Sequence, residues 1–242
     1  MPNPLLIAHR TPADRPGCEA LVSAGANVFE VDVMLAADDE IVLSHDIPLL
    51  TRLPWFRHDG LRFSLSRHPV GPPLEAVADL LPPHVEILLD LKCDRGTEAF
   101  RLVRKVLTLG LDPSRCYASS KNWRSLEELE REGFRTWRSV AHPLALRSLL
   151  DEGKPAYATT VRHPLLTPGS LERLRRLGQV MAWTVNDPRR AVELAGLGVD
   201  GVTSDLPEVF RAMAGPLGDD VKDEVDDDAV DVRDRAAVER TD

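Results

Sequence analysis

The sequence of 242 residues has little of what several classes of protein require. Its three cysteines, Cys18, Cys93 and Cys116, are too few and too scattered for a disulfide framework or a zinc site, so we expect a reduced, cytoplasmic protein. No apolar run is long enough to span a bilayer, and the N-terminus lacks the regions of a signal peptide. Because the net charge is −9, we also expect no nucleic-acid partner.

The negative charge is concentrated at the C-terminus. Eleven of the 39 acidic residues but only four of the 30 basic ones lie in residues 218–242. This segment also has few large apolar residues, and such a composition cannot bury enough surface to offset its conformational entropy. We therefore predict a folded domain over residues 1–215 and an acidic, disordered tail over residues 216–242.

Short runs rich in apolar and β-branched residues recur through the domain, and helical patterns that end at glycine separate most of them. We predict eight strands, at residues 5–9, 28–35, 85–91, 116–119, 135–140, 156–161, 180–185 and 201–204. Eight strands alternating with helices in about 200–250 residues favour an α/β fold, the (β/α)8 TIM barrel. A doubly wound sheet is the competing fold, but its usual glycine-rich loop is absent after the first strand.

An insertion follows the second strand. Residues 36–80 hold an extra strand-like run and then a loop rich in proline, arginine and histidine over residues 48–73. Insertions on barrels often lie over the active-site mouth. Four apolar residues in this loop would admit an acyl chain or pack on the barrel: Trp55, Phe56, Leu61 and Phe63.

Carboxylates interrupt the apolar strands at the ends where barrel active sites lie. Glu30 and Asp32 alternate along the second strand and therefore share a face, as do Asp90 and Lys92 on the third. Carboxylates so placed repel one another, and a bound divalent cation is the simplest compensation. Oxygen ligands favour Mg²⁺ or Ca²⁺ over zinc, with Mn²⁺ also allowed.

Two histidines and an arginine extend this set. His9 and Arg10 end the first strand. A hairpin with a two-residue turn at Asp38-Asp39 would place His45 directly opposite Asp32. Two histidines beside a cation suit acid–base catalysis near neutral pH, and the basic residues suit a phosphate. Phosphodiester cleavage is the reaction that this set serves best.

Five segments resemble the glycerophosphodiester phosphodiesterase family: residues 6–10, 25–33, 41–46, 182–186 and 198–207. In this order and spacing they form a specific pattern that covers residues 5–210. The resemblance implies a (β/α)8 barrel that hydrolyses glycerophosphodiesters to glycerol 3-phosphate and an alcohol, with a small-molecule glycerophosphodiester or lysolipid as the expected substrate. It implies these roles for the residues: one divalent cation on Glu30, Asp32 and Asp90, acid–base catalysis by His9 and His45, phosphate binding by Arg10 and Lys92, and a substrate wall at Trp183.

The chain departs from the family pattern at three places. Thr11 replaces a glycine, the stretch 15–18 lacks a glutamate, and Asp90-Leu91-Lys92 replaces Glu-x-Lys. The last variant is similar to the sphingomyelinase D-like branch. Two alternatives therefore stay open: a lysophospholipase D-like or sphingomyelinase D-like enzyme acting on lipids, and a catalytically silent barrel that binds a phosphorylated ligand. Asp205 is expected to cap a loop, and the sequence leaves the oligomeric state undetermined.

Overall fold

The computed structural model describes residues 4–12, 14–36, 38–45, 55–59, 62–66, 69, 71–92 and 96–214, and only the backbone within 55–59 and 62–66. The tail predicted at residues 216–242 lies outside this part of the chain and stays a prediction. The side chains of Trp55, Phe56, Leu61 and Phe63 in the insertion also lie outside the described part of the chain, as does Cys93.

The described strands are β1 (Leu5–Ala8), β2 (Val28–Leu35), β3 (Ile41–Leu43), β4 (Trp55–Asp59), β5 (Arg62–Ser66), β6 (Glu86–Leu91), β7 (Cys116–Ser120), β8 (Arg135–Val140), β9 (Ala158–Arg162), β10 (Gln179–Trp183) and β11 (Gly201–Ser204). The described α-helices are α1 (Arg15–Ser23), α2 (Glu75–Ala78), α3 (Gly96–Thr108), α4 (Trp123–Arg131), α5 (Pro143–Glu152), α6 (Pro168–Arg175), α7 (Pro188–Leu197) and α8 (Pro207–Ala214). Short 3₁₀ helices cover Pro113–Arg115 and His163–Leu165.

Eight parallel strands close into a barrel. Their order is β1, β2, β6, β7, β8, β9, β10 and β11, and β11 pairs with β1 to complete the circle. Helices follow most strands and cover the outside, where two apolar clusters join them to the sheet. The predicted (β/α)8 barrel is confirmed, and all eight predicted strands lie within two residues of the observed bounds. In the described residues, none of the helices combines the length and apolarity needed to cross a membrane.

The insertion begins with β3, which pairs antiparallel with the end of β2 in a register one residue away from the prediction. Met34 faces Val42, and the Ser44 N–H donates to the Asp32 carbonyl at 2.9 Å. The prediction that His45 directly faces Asp32 is therefore wrong.

The physical reason lies in the turn. The Ala36 N–H donates to the Glu40 carbonyl at 2.9 Å, which leaves three residues between them instead of two. Asp39 has φ 65°, the left-handed conformation that ends a three-residue hairpin loop and that aspartate tolerates without glycine. His45 lies two residues beyond the end of β3, so strand alternation does not dictate its direction.

The barrel interior contains an apolar layer of side chains and, two residues further along each strand, a mainly polar layer. Seven strands each contribute one residue to an apolar layer: Ile7, Val28, Leu88, Tyr117, Trp137, Ala158 and Met181. Because side chains alternate, the residue two positions further along each chain points inward as well. These residues all line the pocket at the carboxyl end of the barrel: His9, Glu30, Asp90, Ser119, Ser139, Thr160 and Trp183.

Candidate active site

Three carboxylates meet at the barrel mouth. β2 supplies Glu30 and Asp32, β6 supplies Asp90, and one oxygen of each lies within 4.8 Å of the others. Parallel pairing sets Asp32 directly beside Asp90. Glu30 lies two residues earlier on β2 and therefore deeper in the barrel. Glu30 and Asp32 are buried, and Asp90 is partly exposed. This is the acidic cluster that the sequence predicted.

Lys92 supplies positive charge to this cluster. Its Nζ lies 2.8 Å from Asp32 Oδ1 and is in contact with Asp90 Oδ2. Burial lowers the pKa of Lys92, but the neighbouring carboxylates outweigh burial and raise it above its ordinary value. Burial raises the pKa of Asp32, yet the charge of Lys92, together with smaller contributions from Glu30 and His45, outweighs this effect and the net pKa is lowered. Lys92 and Asp32 are therefore both charged at neutral pH.

Glu30 has a different electrostatic setting. Burial first, and then the charge of Asp32, raise its pKa well above the ordinary value of a glutamate. Its Oε2 accepts a hydrogen bond from the Arg10 N–H at 2.8 Å, and its carbonyl accepts from both the N–H and the hydroxyl of Thr11. Ionising Glu30 in this setting costs free energy that a nearby cation offsets. Thr11 thus helps to anchor β2 to the loop after β1.

His9 belongs to a chain of hydrogen bonds that runs along the carboxyl ends of β1, β10 and β11. Its Nδ1 donates to Asp205 Oδ1 at 2.7 Å, and Asn186 Nδ2 donates to Asp205 Oδ2 at 2.7 Å. The side-chain oxygen Oδ1 of Asn186 in turn accepts from the Ser204 hydroxyl and the Asp205 N–H, both at 3.0 Å. With Nδ1 engaged, Nε2 is the nitrogen of His9 left to exchange a proton in the pocket.

Asp205 is therefore not the loop cap that the sequence predicted. Burial raises the pKa of Asp205, but the hydrogen bonds from Asn186 and His9 outweigh it and lower the pKa below its ordinary value. A carboxylate that stays charged holds the His9 imidazole in one orientation and one tautomer. One signal in the sequence pointed to it, since Asp205 directly follows the last barrel strand at the catalytic end.

His45 enters the site through Arg10. Arg10 Nη2 donates to His45 Nε2 at 2.6 Å, and Arg10 Nε lies 3.9 Å from Asp32 Oδ2. A guanidinium has no acceptor, so His45 Nε2 must accept here with its lone pair. Arg10 itself adopts φ 54°, an uncommon conformation for a residue other than glycine, and this turns its N–H toward Glu30.

The structure brings all eight sequence-predicted site residues to one pocket or its edge. His9, Arg10, Glu30, His45, Asp90, Lys92 and Trp183 line it, and Asp32 lies against Lys92. Trp183 is half-buried at the end of β10, and among the described residues its Nε1 has no hydrogen-bond partner. Sequence reasoning missed the roles of Asp205 and Asn186. It also missed the hydroxyl-bearing residues that line the pocket: Ser119, Ser139, Thr160, Thr184 and Thr203.

No family model matches the chain, and no curated protein matches it.

Comparison by structure finds many proteins with this barrel. Three of them are described as a glycerophosphodiester phosphodiesterase from Thermotoga maritima, a phosphodiesterase from Oleispira antarctica in complex with its product sn-glycerol-3-phosphate, and a glycerophosphodiester phosphodiesterase from Parabacteroides distasonis. The TM-scores are 0.63, 0.62 and 0.62, and the sequence identities are 20%, 19% and 21%. The alignments cover 85%, 87% and 86% of this chain and 96%, 97% and 96% of those chains. At such identities the likeness establishes the fold.

Proposed function

We propose that the protein is a phosphoric diester hydrolase that cleaves glycerophosphodiesters to glycerol 3-phosphate and an alcohol. One observation carries the proposal: two imidazoles, three carboxylates and two basic side chains converge at the carboxyl end of a barrel. The likeness to solved phosphodiesterases, one holding sn-glycerol-3-phosphate, supports this reading of the site.

The three carboxylates fit a divalent cation. Their oxygens lie within 4.8 Å of one another, and hard oxygen donors suit Mg²⁺, Ca²⁺ or Mn²⁺. Asp32 Oδ1 supports this, because it is buried without a hydrogen bond of good geometry although Lys92 lies 2.8 Å away. When bound, the cation would polarise the phosphoryl group and neutralise charge that develops there. We assign Glu30, Asp32 and Asp90 as its ligands.

Two basic residues would position the diester phosphate. The Arg10 guanidinium is half-exposed at the mouth and presents several donors, while the Lys92 ammonium lies deeper between two carboxylates. Charge on the phosphate oxygens grows as the bond to the alcohol breaks, so donors held in place beforehand favour the transition state over the ground state.

The two histidines would transfer the protons. One imidazole takes a proton from the attacking water or glycerol 2-hydroxyl, the P–O bond to the alcohol breaks, and the other imidazole protonates the leaving oxygen. If the glycerol hydroxyl attacks, water opens the resulting cyclic phosphate in a second step. Asp205 would orient His9 throughout, and His45 would act once Arg10 turns from its Nε2 to the phosphate.

The test is release of glycerol 3-phosphate from a panel of glycerophosphodiesters, with and without Mg²⁺, Ca²⁺ or Mn²⁺ and with a chelator. We expect release that depends on the cation and falls at least about a hundredfold in His45→Ala, since acid–base catalysis typically contributes that much. His84→Ala is the matched control, because His84 precedes β6 at the opposite end of the barrel and is exposed. Equal losses in both variants would contradict the assignment of His45.

Two further arms address the alternatives. Release of choline from lysolipids, with no cleavage of water-soluble diesters, would select the lipid-cleaving variant. Binding of glycerol 3-phosphate without turnover in the presence of any of the three cations would select the silent barrel instead.

A further inference from the structure

We propose that Lys121 determines substrate specificity, by favouring glycerophosphodiesters whose leaving alcohol carries a negative charge. The inference rests on the proposed function, because it concerns the remaining wall of the same pocket. Its starting point is the uneven distribution of charge around the barrel mouth.

The proposed reactive groups occupy one side of the mouth. They come from β1, β2 and β6 and from the residue just beyond β3. The other five barrel strands form a wall on which the described residues lining the pocket include no carboxylate; the wall residues are Ser119, Lys121, Ser139, Thr160, Trp183, Thr184 and Thr203. A substrate held by its phosphate on the first side must place its other atoms along this wall.

The wall offers hydroxyl groups to a ligand. Ser119 is already engaged, since its hydroxyl donates to Asp90 Oδ1 at 2.7 Å. The hydroxyl groups of Ser139, Thr160 and Thr203 have no partner within the part of the chain that the structure describes, although all three residues are largely buried. Such groups favour a polar, hydroxylated substrate over an apolar one.

Among the described residues that line this wall, Lys121 is the one with a charged side chain. It lies directly after β7, two residues beyond Ser119 and four beyond the inward-facing Tyr117, so the alternation of β7 carries it toward the pocket that it lines. Its side chain is exposed at the mouth, where it can reach a bound ligand.

The partners of the other lysines distinguish Lys121. Of the four lysines in the described ranges, three have a carboxylate partner: Lys92 with Asp32, Lys105 with Glu40 and Lys154 with Glu127. Lys121 makes neither an ion pair nor a hydrogen bond to any described residue. Its ammonium is thus available to an anionic group of the substrate.

Charge on the leaving alcohol should therefore affect turnover. The glycerol part is common to the whole class and uncharged, so variation in charge comes with the alcohol. An ethanolamine or choline group is a cation and meets the Lys121 ammonium, and the described residues that line that wall include no carboxylate to balance it. A serine group adds a carboxylate that Lys121 attracts. Because Lys121 is exposed, solvent screens the attraction, and we expect a preference of about two- to fivefold.

The experiment compares kcat/KM for sn-glycero-3-phosphoserine and sn-glycero-3-phosphoethanolamine, which differ by one carboxylate. We expect the serine diester to be preferred by the native protein, the preference to disappear in Lys121→Gln and to return in Lys121→Arg. Lys154→Gln is the matched control, because Lys154 is also exposed but does not line the pocket, and it should leave the ratio unchanged.

Calorimetry in the same series measures the dissociation constants of both diesters. The proteins used are His45→Ala, in which turnover should be strongly reduced, and the same variant with Lys121→Gln added. If the kcat/KM ratio of the two diesters is near one in the native protein, or if Lys121→Gln does not change it, the role of Lys121 is overturned. Turnover of the diesters in that case still supports the proposed function. Absence of turnover with either diester overturns the proposed function, and the ratio of the dissociation constants then decides the role of Lys121 by itself.

Discussion

Lys92 should be the main counter-charge of the carboxylate cluster, and replacing it tests this directly. In Lys92→Met the side chain keeps a similar length but loses its ammonium, which lies 2.8 Å from Asp32 Oδ1. The exposed fractions of the side chains are 13% for Lys92, 6% for Asp32 and 18% for Asp90. Breaking a buried ion pair costs about 3–5 kcal/mol, and the partial exposure of Asp90 argues for the lower end, about 3 kcal/mol.

The assay is urea unfolding followed by tryptophan fluorescence at pH 7 in the presence of a chelator. A loss of about 3 kcal/mol corresponds to a fall in Tm of about 6–12 °C for a domain of this size. Lys154→Met is the control, since Lys154 and its partner Glu127 are about half-exposed and such pairs contribute at most about 1 kcal/mol. Added Mg²⁺ or Ca²⁺ should restore stability to Lys92→Met more than to the native protein, because the cation then supplies the missing charge.

A loss below about 1 kcal/mol in Lys92→Met without cation would refute this reasoning. It would mean that the carboxylates are relieved in another way, by solvent or by binding protons. Repeating the measurement at pH 5 separates these cases, because carboxylates that bind protons need less counter-charge and the deficit should shrink.

Burial raises the pKa of Glu30, so above the ordinary pKa of a glutamate the folded chain retains a proton that the unfolded chain has lost. Stability without cation should therefore fall as the pH rises above that value, by at most about 1.4 kcal/mol per pH unit, and urea titrations of Glu30→Gln should lack this part of the slope. Asp205→Asn should lower kcat about ten- to a hundredfold with little change in KM, because His9 loses its orienting carboxylate, and an unchanged kcat in steady-state assays would count against that role. Burial raises the pKa of Cys116 to about 11 and also raises that of Cys18. Iodoacetamide at pH 8 should therefore label both thiols only after unfolding, as measured by mass spectrometry of the peptides. Rapid labelling of the native protein would contradict the burial of the two thiols.

The barrel and the acidic cluster were predictable because their signals are local. Alternation along a strand sets Glu30 and Asp32 on one face whatever the rest of the chain does, and it does the same for Asp90 and Lys92. Barrel strands are parallel, and active sites lie at their carboxyl ends, so the two pairs are expected to lie close together. The observed pairing of Asp32 beside Asp90 confirms this step.

The hairpin after β2 marks where such reasoning fails. The sequence Asp38-Asp39 fits more than one loop length, and a change of one residue moves every partner along β3. The left-handed φ of Asp39 gives the three-residue loop, which sets Ser44 rather than His45 opposite Asp32. His45 still reaches Arg10, because it lies past the strand and is free of the strand's alternation.

Strand-borne residues could be derived from the order of amino acids: which side chains point inward, and at which end the polar ones lie. The partners of residues on distant strands follow instead from the way the chain folds. Closing the barrel brings β11 beside β1, so Asp205 meets His9 across 196 positions of sequence, and it leaves Lys121 on a wall where no carboxylate is among the described residues that line the pocket. Periodicity constrains neither outcome, because each depends on which strands become neighbours around the closed sheet and on the atoms that are then within hydrogen-bonding distance.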